Sequence, residues 1–357
     1  MVICSGRKPR PDAARKPAAR SLSRQLIPVL LCAALLATGC ASGKLGQART
    51  AFYQGETARA AGTLSNAKGI AGRSRLLYYM EKGTILFEAR QYKESIDALL
   101  AATALMLDLE IVSVSRQGGS LITSERITPY RGEYAERLLV HTYLMMNFLL
   151  IRKFDDALVE AKQAMEVIDA HPKACAADYF TRALIAHCFE VTGEINGAYI
   201  EYRKLAADLS DPLPVAGPLY RLASRLGFSD QARKYAAWLR KAGRQVPREP
   251  PEAEVIVFAA QGRAPEKIPR NIVAPPSIRF SFVQYRRRSS VFAAPDLAGG
   301  CLRSQTRVTT DMTAVLKKSL NRRAAGMLVK ETARVAAKES IAGSMEDPLA
   351  ETVARIV

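Results

Sequence analysis

The chain has little of what most catalytic sites are built from. Its 357 residues include three histidines, His141, His171 and His187, with no His-Glu-x-x-His arrangement and no carboxylate pattern that would hold zinc. His141 and His187 sit in helical sequence, where packing is the default role. A Walker loop, a dinucleotide fingerprint and a Gly-x-Ser-x-Gly elbow are all lacking, which removes the usual nucleotide and serine-hydrolase readings. Ser65-Asn66-Ala67-Lys68 has a serine-lysine nucleophile spacing, but neither Ser-Asp-Asn nor Lys-Thr-Gly accompanies it. Cysteine is scarce too: after Cys40 only Cys175, Cys188 and Cys301 remain. The first two would lie about 20 Å apart on one helix, too far for a disulfide. No apolar run reaches the roughly 20 residues that a spanning helix needs. The expectation is a non-enzyme with no catalytic residue, no metal ligand and no bound cofactor, an envelope hydrolase being the minor alternative.

The N-terminus is more informative. Arg7, Lys8, Arg10, Arg15, Lys16, Arg20 and Arg24, against the single acid Asp12, precede an apolar run from Leu26 to Ala37, the order of a secretory signal. The run ends in Leu36-Ala37-Thr38-Gly39-Cys40-Ala41-Ser42, the pattern of a lipobox: small residues fit the peptidase cleft and the Cys40 sulfur takes the lipid. Ala37 stands where leucine is usual. Residues 1–39 are thus expected to be a lipoprotein signal peptide, with diacylglycerol and an N-acyl chain on Cys40 as the only covalent additions. Without Asp after Cys40, the expected site is the inner leaflet of the outer membrane, facing the periplasm.

Of the 52 basic and 34 acidic residues, seven basic and one acidic lie before Cys40, so the mature chain stays near +12. Basic charge alone would suggest nucleic acid, but export argues against it. Lipid headgroups, cell-wall carboxylates and acidic proteins are the anionic partners of that compartment.

Residues 40–245 read as helical repeats. Tyr79, Gly83, Leu86, Tyr92, Ser95, Leu99 and Ala102 fall at i, i+4, i+7, i+13, i+16, i+20 and i+23, where small residues let two helices approach and large ones fill the space around them. This is the tetratricopeptide spacing. A second unit aligns Leu144, Phe148, Phe154, Ala157, Ala161 and Ala164; a third aligns Ala186, Phe189, Gly193, Ile195, Ala198 and Tyr202. A weaker first unit holds Gly55, Thr57, Ala60, Leu64 and Ala67. Tyr92, Phe154 and Ile195 are spaced more widely than the roughly 34 residues of a regular array. An insertion is therefore expected near 108–134, where Gly118-Gly119 and Pro129 to Gly132 break helix.

Ser113 to Gly119, Pro129-Tyr130-Arg131-Gly132-Glu133, Leu139 to Leu149 and Phe154 to Lys162 resemble a family of uncharacterised bacterial lipoproteins containing tetratricopeptide repeats. The likeness extends to Glu252-Ala253-Glu254-Val255-Ile256-Val257-Phe258 and implies a family without implying an activity.

Val246 to Glu252 is a proline-rich linker, and the character of the chain changes after it. Glu254 to Ala260 and Ile278 to Gln284 are expected strands, Val308 to Thr310 a third. Asp311 is placed to cap a basic amphipathic helix from Met312 to about Ile341, with Val315, Leu316 and Leu320 on its apolar stripe. Such a helix packs on a sheet by default and lies on an anionic membrane or cell-wall surface in the sharper reading. The expected architecture is mainly α: a tetratricopeptide-like α-solenoid followed by a small α+β C-terminal domain over 253–357. The expected function is a membrane-tethered periplasmic scaffold that binds a protein partner through its repeat surface, or else an accessory factor for cell-wall or outer-membrane assembly or secretion. Arg116, Tyr130, Arg131, His141 and Asn147, donors and an aromatic near the insertion, are the expected partner-binding residues.

Overall fold

The computed structural model describes residues 43–115, 129–246, 256–274, 278–288, 296–299, 302–305 and 310–322, together with 332 and 340. Five helical hairpins follow one another: α1 (Gly43–Tyr53) with α2 (Thr57–Thr63), α3 (Arg75–Glu88) with α4 (Tyr92–Ser115), α5 (Tyr134–Leu150) with α6 (Phe154–Ala170), α7 (Tyr179–Val191) with α8 (Ile195–Asp208), and α9 (Leu213–Arg225) with α10 (Ser229–Lys241). The chain is mainly α, a tetratricopeptide-like solenoid followed by a small α+β portion. A single turn, Pro172–Cys175, accounts for part of the extra length between the third and fourth hairpins.

The aligned residues explain the pairing. A Cβ on Gly83 would lie 2.5 Å from the Leu99 side chain, so glycine is what allows α3 and α4 to close. Leu99 and Ala102 are buried in the central core with Leu138, Leu144, Ala157, Ala161 and Ala164. Every hairpin turns in the same way. Gly55, Arg90, Arg152, Gly193 and Gly227 each have positive φ. The next residue's N–H reaches back to the last turn of the first helix, as in Gln91 N to Leu86 O at 2.9 Å and Glu194 N to Phe189 O at 2.9 Å. This is the Schellman closure, for which glycine is the unstrained residue. Arginine occupies the place in the second and third hairpins.

After the solenoid, residues 256–265 have no regular structure, and β1 (Glu266–Ala274) pairs antiparallel with β2 (Ile278–Arg286) in the register Glu266 to Arg286. The expected strand at Glu254 to Ala260 is absent over 256–260, because no neighbouring strand pairs with it. Strand β1 was not expected; Pro269 interrupts its pattern, and a two-stranded ribbon tolerates it because each strand has a free edge. A second small ribbon joins β3 (Asp296–Gly299) to β4 (Leu302–Gln305). Helix α11 covers 312–322, capped by Asp311 Oδ1, which accepts from Thr313 N at 2.8 Å. Of the expected third strand, Thr310 is not in a strand and 308–309 lie outside the described residues, as do Cys40 and the signal segment.

The apolar stripe on α11 is as the sequence implies, and it is already covered. Val315, Leu316 and Leu320 are buried together with Ala135 and Tyr285, and Ala135 N donates to Ser319 Oγ at 3.1 Å. Over 312–322 the helix therefore has no free apolar face to lay on a membrane. Among the described residues no helix is long and apolar enough to cross one.

Candidate functional site

The site is best built from the way the C-terminal segment meets the solenoid. The described contacts joining 256–322 to the hairpins fall on Tyr53, on Tyr130 to Glu136, on Ala177, and on Phe180 and His187. All of these lie on first helices or on the turns leading into them. Half-buried Phe258 packs edge-on against Phe180 at 5.4 Å and tilts against His187 at 6.1 Å, touching α7 at two points one turn pair apart. Arg263 and Arg288 lie on the Tyr53 ring at 4.7 and 5.0 Å, and Arg288 Nη1 donates to Tyr53 Oη at 2.8 Å. Thr310 Oγ1 accepts from Phe180 N at 2.9 Å. One stretch of chain thus spans the fourth, third and first hairpins.

Its central tie is a cluster at the start of α5. Glu136 accepts at both carboxylate oxygens: Oε2 takes the Tyr130 hydroxyl and Glu133 N at 2.7 Å, and Oε1 takes Tyr285 Oη at 2.9 Å and Lys267 Nζ at 2.9 Å. Lys267 also lies 3.5 Å from Glu133 Oε1, and its ammonium sits over the rings of Tyr130 and Tyr285 at 5.2 and 5.5 Å. Burial pushes the Glu136 carboxyl up, but the Lys267 charge and the donated hydrogen bonds outweigh it and hold the carboxyl below the usual range. Burial and the adjacent Glu136 charge push the Tyr130 hydroxyl well above its ordinary value, so it serves as a donor. The cluster can clamp a chain segment; its groups are paired with one another rather than aimed at a cavity.

The sequence-derived candidates have different roles from those expected. Tyr130 belongs to the clamp. Asn147 is fully buried and donates from Nδ2 to Ser95 Oγ at 2.9 Å and Tyr143 O at 2.8 Å; Ser95 Oγ in turn donates to Gly83 O at 2.7 Å. It stitches the second hairpin to the third and cannot touch a partner directly. His141 is likewise buried, its Nδ1 2.7 Å from Glu160 Oε2 across the α5–α6 pair. Both are corrections: a polar residue in an apolar helix reads as a ligand donor in sequence, yet here it satisfies another buried polar group. Arg131 is half-buried beside the clamp, and Arg116 lies outside the described residues. A third buried polar link, Thr142 Oγ1 to Thr181 Oγ1 at 2.8 Å, joins α5 to α7, with Asp178 Oδ2 accepting from Thr181 at 2.7 Å.

The expected insertion starts later than expected, since α4 remains helical to Ser115; 116–128 lie outside the described residues. The residues that sequence reading missed are Lys267, Glu136, Tyr285, Tyr53 and Phe258. The Glu133-x-x-Glu136 spacing before an apolar run was the available signal for a structured helix start. Cys175 and Cys188 are buried free thiols, pushed by burial to about 11 and about 12. Among the described residues no group of His, Cys, Asp or Glu is arranged to hold a metal.

No family model matches the chain, and no curated protein matches it. Solved structures that resemble it include MamA, at 11% identity over 55% of this chain and 94% of that one with a TM-score of 0.40. A Podospora anserina structure described as kinesin light chain TPR-like repeats shows 15% identity over 58% and 95%, with a TM-score of 0.42. YrrB, described as a TPR protein with an unusual peptide-binding site, shows 14% over 56% and 82%, with a TM-score of 0.38. At these values the architecture rests on the chain's own helix pairs and turns.

Proposed function

We propose that the protein is a non-enzymatic scaffold, tethered to the periplasmic side of the cell envelope through lipidated Cys40, that binds a segment of a partner protein on the face built from its first helices. One observation carries the binding reading: that face already holds an extended segment, its own residues 256–268, by an aromatic contact at Phe258, cation–π contacts at Tyr53 and a carboxylate–lysine clamp at Glu136. A surface that holds one peptide in this way has the chemistry to hold another. An intramolecular ligand benefits from a high effective concentration, so a partner must either bind more tightly or arrive when the segment is released. The tether rests on the basic-apolar-lipobox order of residues 7–42. The outer membrane is the leading destination, because no Asp follows Cys40.

Two measurements test the parts separately. Metabolic labelling with an alkyne fatty acid should mark the wild type and not Cys40→Ala, and the variant should leave the membrane fraction; label retained in the variant would remove the tether. For the face, a photo-crosslinking amino acid placed at Tyr53 or Phe180 should give a discrete adduct in cells, whereas one at Val159, exposed on the second helix α6, should not. Equal adducts from both faces would refute the binding site while leaving the tether untouched.

A further inference from the structure

Among the described residues the last hairpin of the solenoid is the fifth, and the chemistry of its outer end departs from that of the joints within the stack. The joint between the fourth and fifth hairpins shows what a continuing end looks like. Tyr199 of α8 is buried there, its ring 5.3 Å from Phe228 and its hydroxyl 3.5 Å from that of Tyr235. Glu190 of α7 accepts from Arg221 of α9 at 3.0 Å and from Tyr202 at 3.0 Å. The fourth hairpin thus meets the fifth with an aromatic and a carboxylate.

The turn glycines Gly193 and Gly227 set the two hairpins in register 34 residues apart. At that offset Arg233 replaces Tyr199, Ser224 replaces Glu190, and Arg240 replaces Ala206. The outward-facing aromatic has become an exposed guanidinium, and the carboxylate has gone. A sixth apolar hairpin would have to bury Arg233, whose side chain is 76% exposed, so stacking does not continue in kind.

The end is not flat. A recess of about 380 Å³ opens between α9 and α10, lined by Tyr220, Ser224, Gly227 and Ser229, with Arg233 and Arg240 on it. Ser224, Gly227, Ser229, Ala232 and Ala236 leave room between the larger Tyr220, Val246 and the two arginines. Across 229–246 there are five basic residues, Arg233, Lys234, Arg240, Lys241 and Arg244, against Asp230 alone, and all six are exposed. Asp230 is engaged by Arg233.

We propose that this end of the solenoid, exposed among the described residues, binds an acidic segment of a partner protein, its carboxylates on Arg233 and Arg240 and its backbone in the recess. Charge complementarity selects the occupant: five exposed cations face the single carboxylate of Asp230, so Arg240 can take an incoming carboxylate in bidentate geometry and Arg233, exposed, can exchange Asp230 for another. The recess favours a chain over a lipid bilayer, which presents no convex ridge to fill it. This site is separate from the first-helix face, and it stands or falls independently of the reading given for that face.

The test uses the full-length protein in detergent and a fluorescein-labelled peptide of alternating glutamate and alanine, followed by fluorescence anisotropy. Wild type should bind at about 50 mM salt and lose most of that affinity at about 500 mM. Arg233→Ala/Arg240→Ala should weaken binding at least about tenfold. Ser224→Leu fills the recess without changing charge and should weaken it about fivefold. Lys317→Ala/Lys318→Ala removes two exposed charges from α11 and should stay within about twofold of wild type. All five substituted positions are exposed, so the fold is not at stake. Equal losses from the α11 pair, wild-type binding by Ser224→Leu, or no peptide binding at all would overturn the proposal. So would arginine substitutions that leave the peptide bound and abolish only attachment to phosphatidylglycerol vesicles.

Discussion

Lys267→Met tests whether the C-terminal segment is held by the clamp at α5. The substitution keeps the aliphatic stem over Tyr130 and Tyr285 and removes the cation 2.9 Å from Glu136 and 3.5 Å from Glu133. At 2.9 Å the gross attraction is on the order of 6 kcal/mol for an effective dielectric of about 20, most of it offset by desolvation. Removing one partner of a buried pair costs about 3–5 kcal/mol, and because the Lys267 side chain keeps 27% exposure we expect about 2–3 kcal/mol. That loss falls on attachment of the segment, so its detached population should rise about thirtyfold or more. Hydrogen exchange on the full chain should show faster exchange in 256–274, with α9 and α10 unchanged. The Glu136 carboxyl, held low in the wild type, should move above the ordinary carboxylate value once burial acts without Lys267. Glu136→Gln in the Lys267→Met background should restore part of the protection, since a neutral amide needs no cation. The sign with pH follows from the same group. Its folded value is depressed, so its stabilisation is complete above the unfolded value of about 4.3 and is lost as pH falls toward the folded one. Protection of 256–274 in the wild type, taken relative to the intrinsic exchange rate at each pH, should therefore fall on acidification below that point. Unchanged exchange in Lys267→Met, or equal acceleration in α9 and α10, would refute the clamp.

Gly83→Ala places a methyl 2.5 Å from Leu99 and should cost about 1–3 kcal/mol by overpacking, less the helix propensity gained. In a Leu99→Ala background the same methyl has room, so urea titrations should show a coupling of about 1 kcal/mol or more, and additivity would count against the close approach. Arg90→Gly and Arg152→Gly relieve a left-handed conformation that costs about 1–2 kcal/mol and give back about 0.5–1 in chain entropy. Each should raise the melting temperature slightly, whereas Gly193→Ala and Gly227→Ala should lower it; a lower melting temperature in either arginine variant would contradict the shared turn geometry. Cys175 and Cys188 should resist iodoacetamide at pH 8 in the folded protein and react on unfolding, because their thiols are buried and pushed up to about 11 and about 12; rapid native labelling would mean that the core there opens.

Three of the five hairpins carry their small-and-large spacing openly in the sequence, since Gly83, Ala157 and Ala198 are needed where helices touch. The fifth did not align, because its outward positions carry Arg233 and Arg240 instead of apolar residues; only Gly227, one repeat after Gly193, marked it. Arg90 and Arg152 hid two turns for a similar reason: arginine stands where glycine signals the reversal. The site was harder to read. Lys267 and Glu136 are 131 positions apart, and nothing local in either stretch announces the other. Asn147 and His141 were noticed for their polarity but misassigned, because a sequence shows that a polar group is present and not whether another buried group satisfies it. Helix α11 was legible in its stripe and its Asp311 cap; what covers the stripe was not.

The clasp made by residues 256–288 also has a consequence in time. On the proposed export route the chain emerges N-terminus first, and each hairpin contacts its neighbours in sequence, so four hairpins can stack once residue 208 has appeared. The clasp residues Lys267, Tyr285 and Arg288 lie up to 80 positions later and emerge after that stack can form. During that interval the first-helix face is built but vacant. A partner present then meets no competitor, whereas one arriving later must displace Phe258, Arg263 and Lys267 together. The order of encounter, and not affinity alone, would then decide which molecules of this protein are loaded.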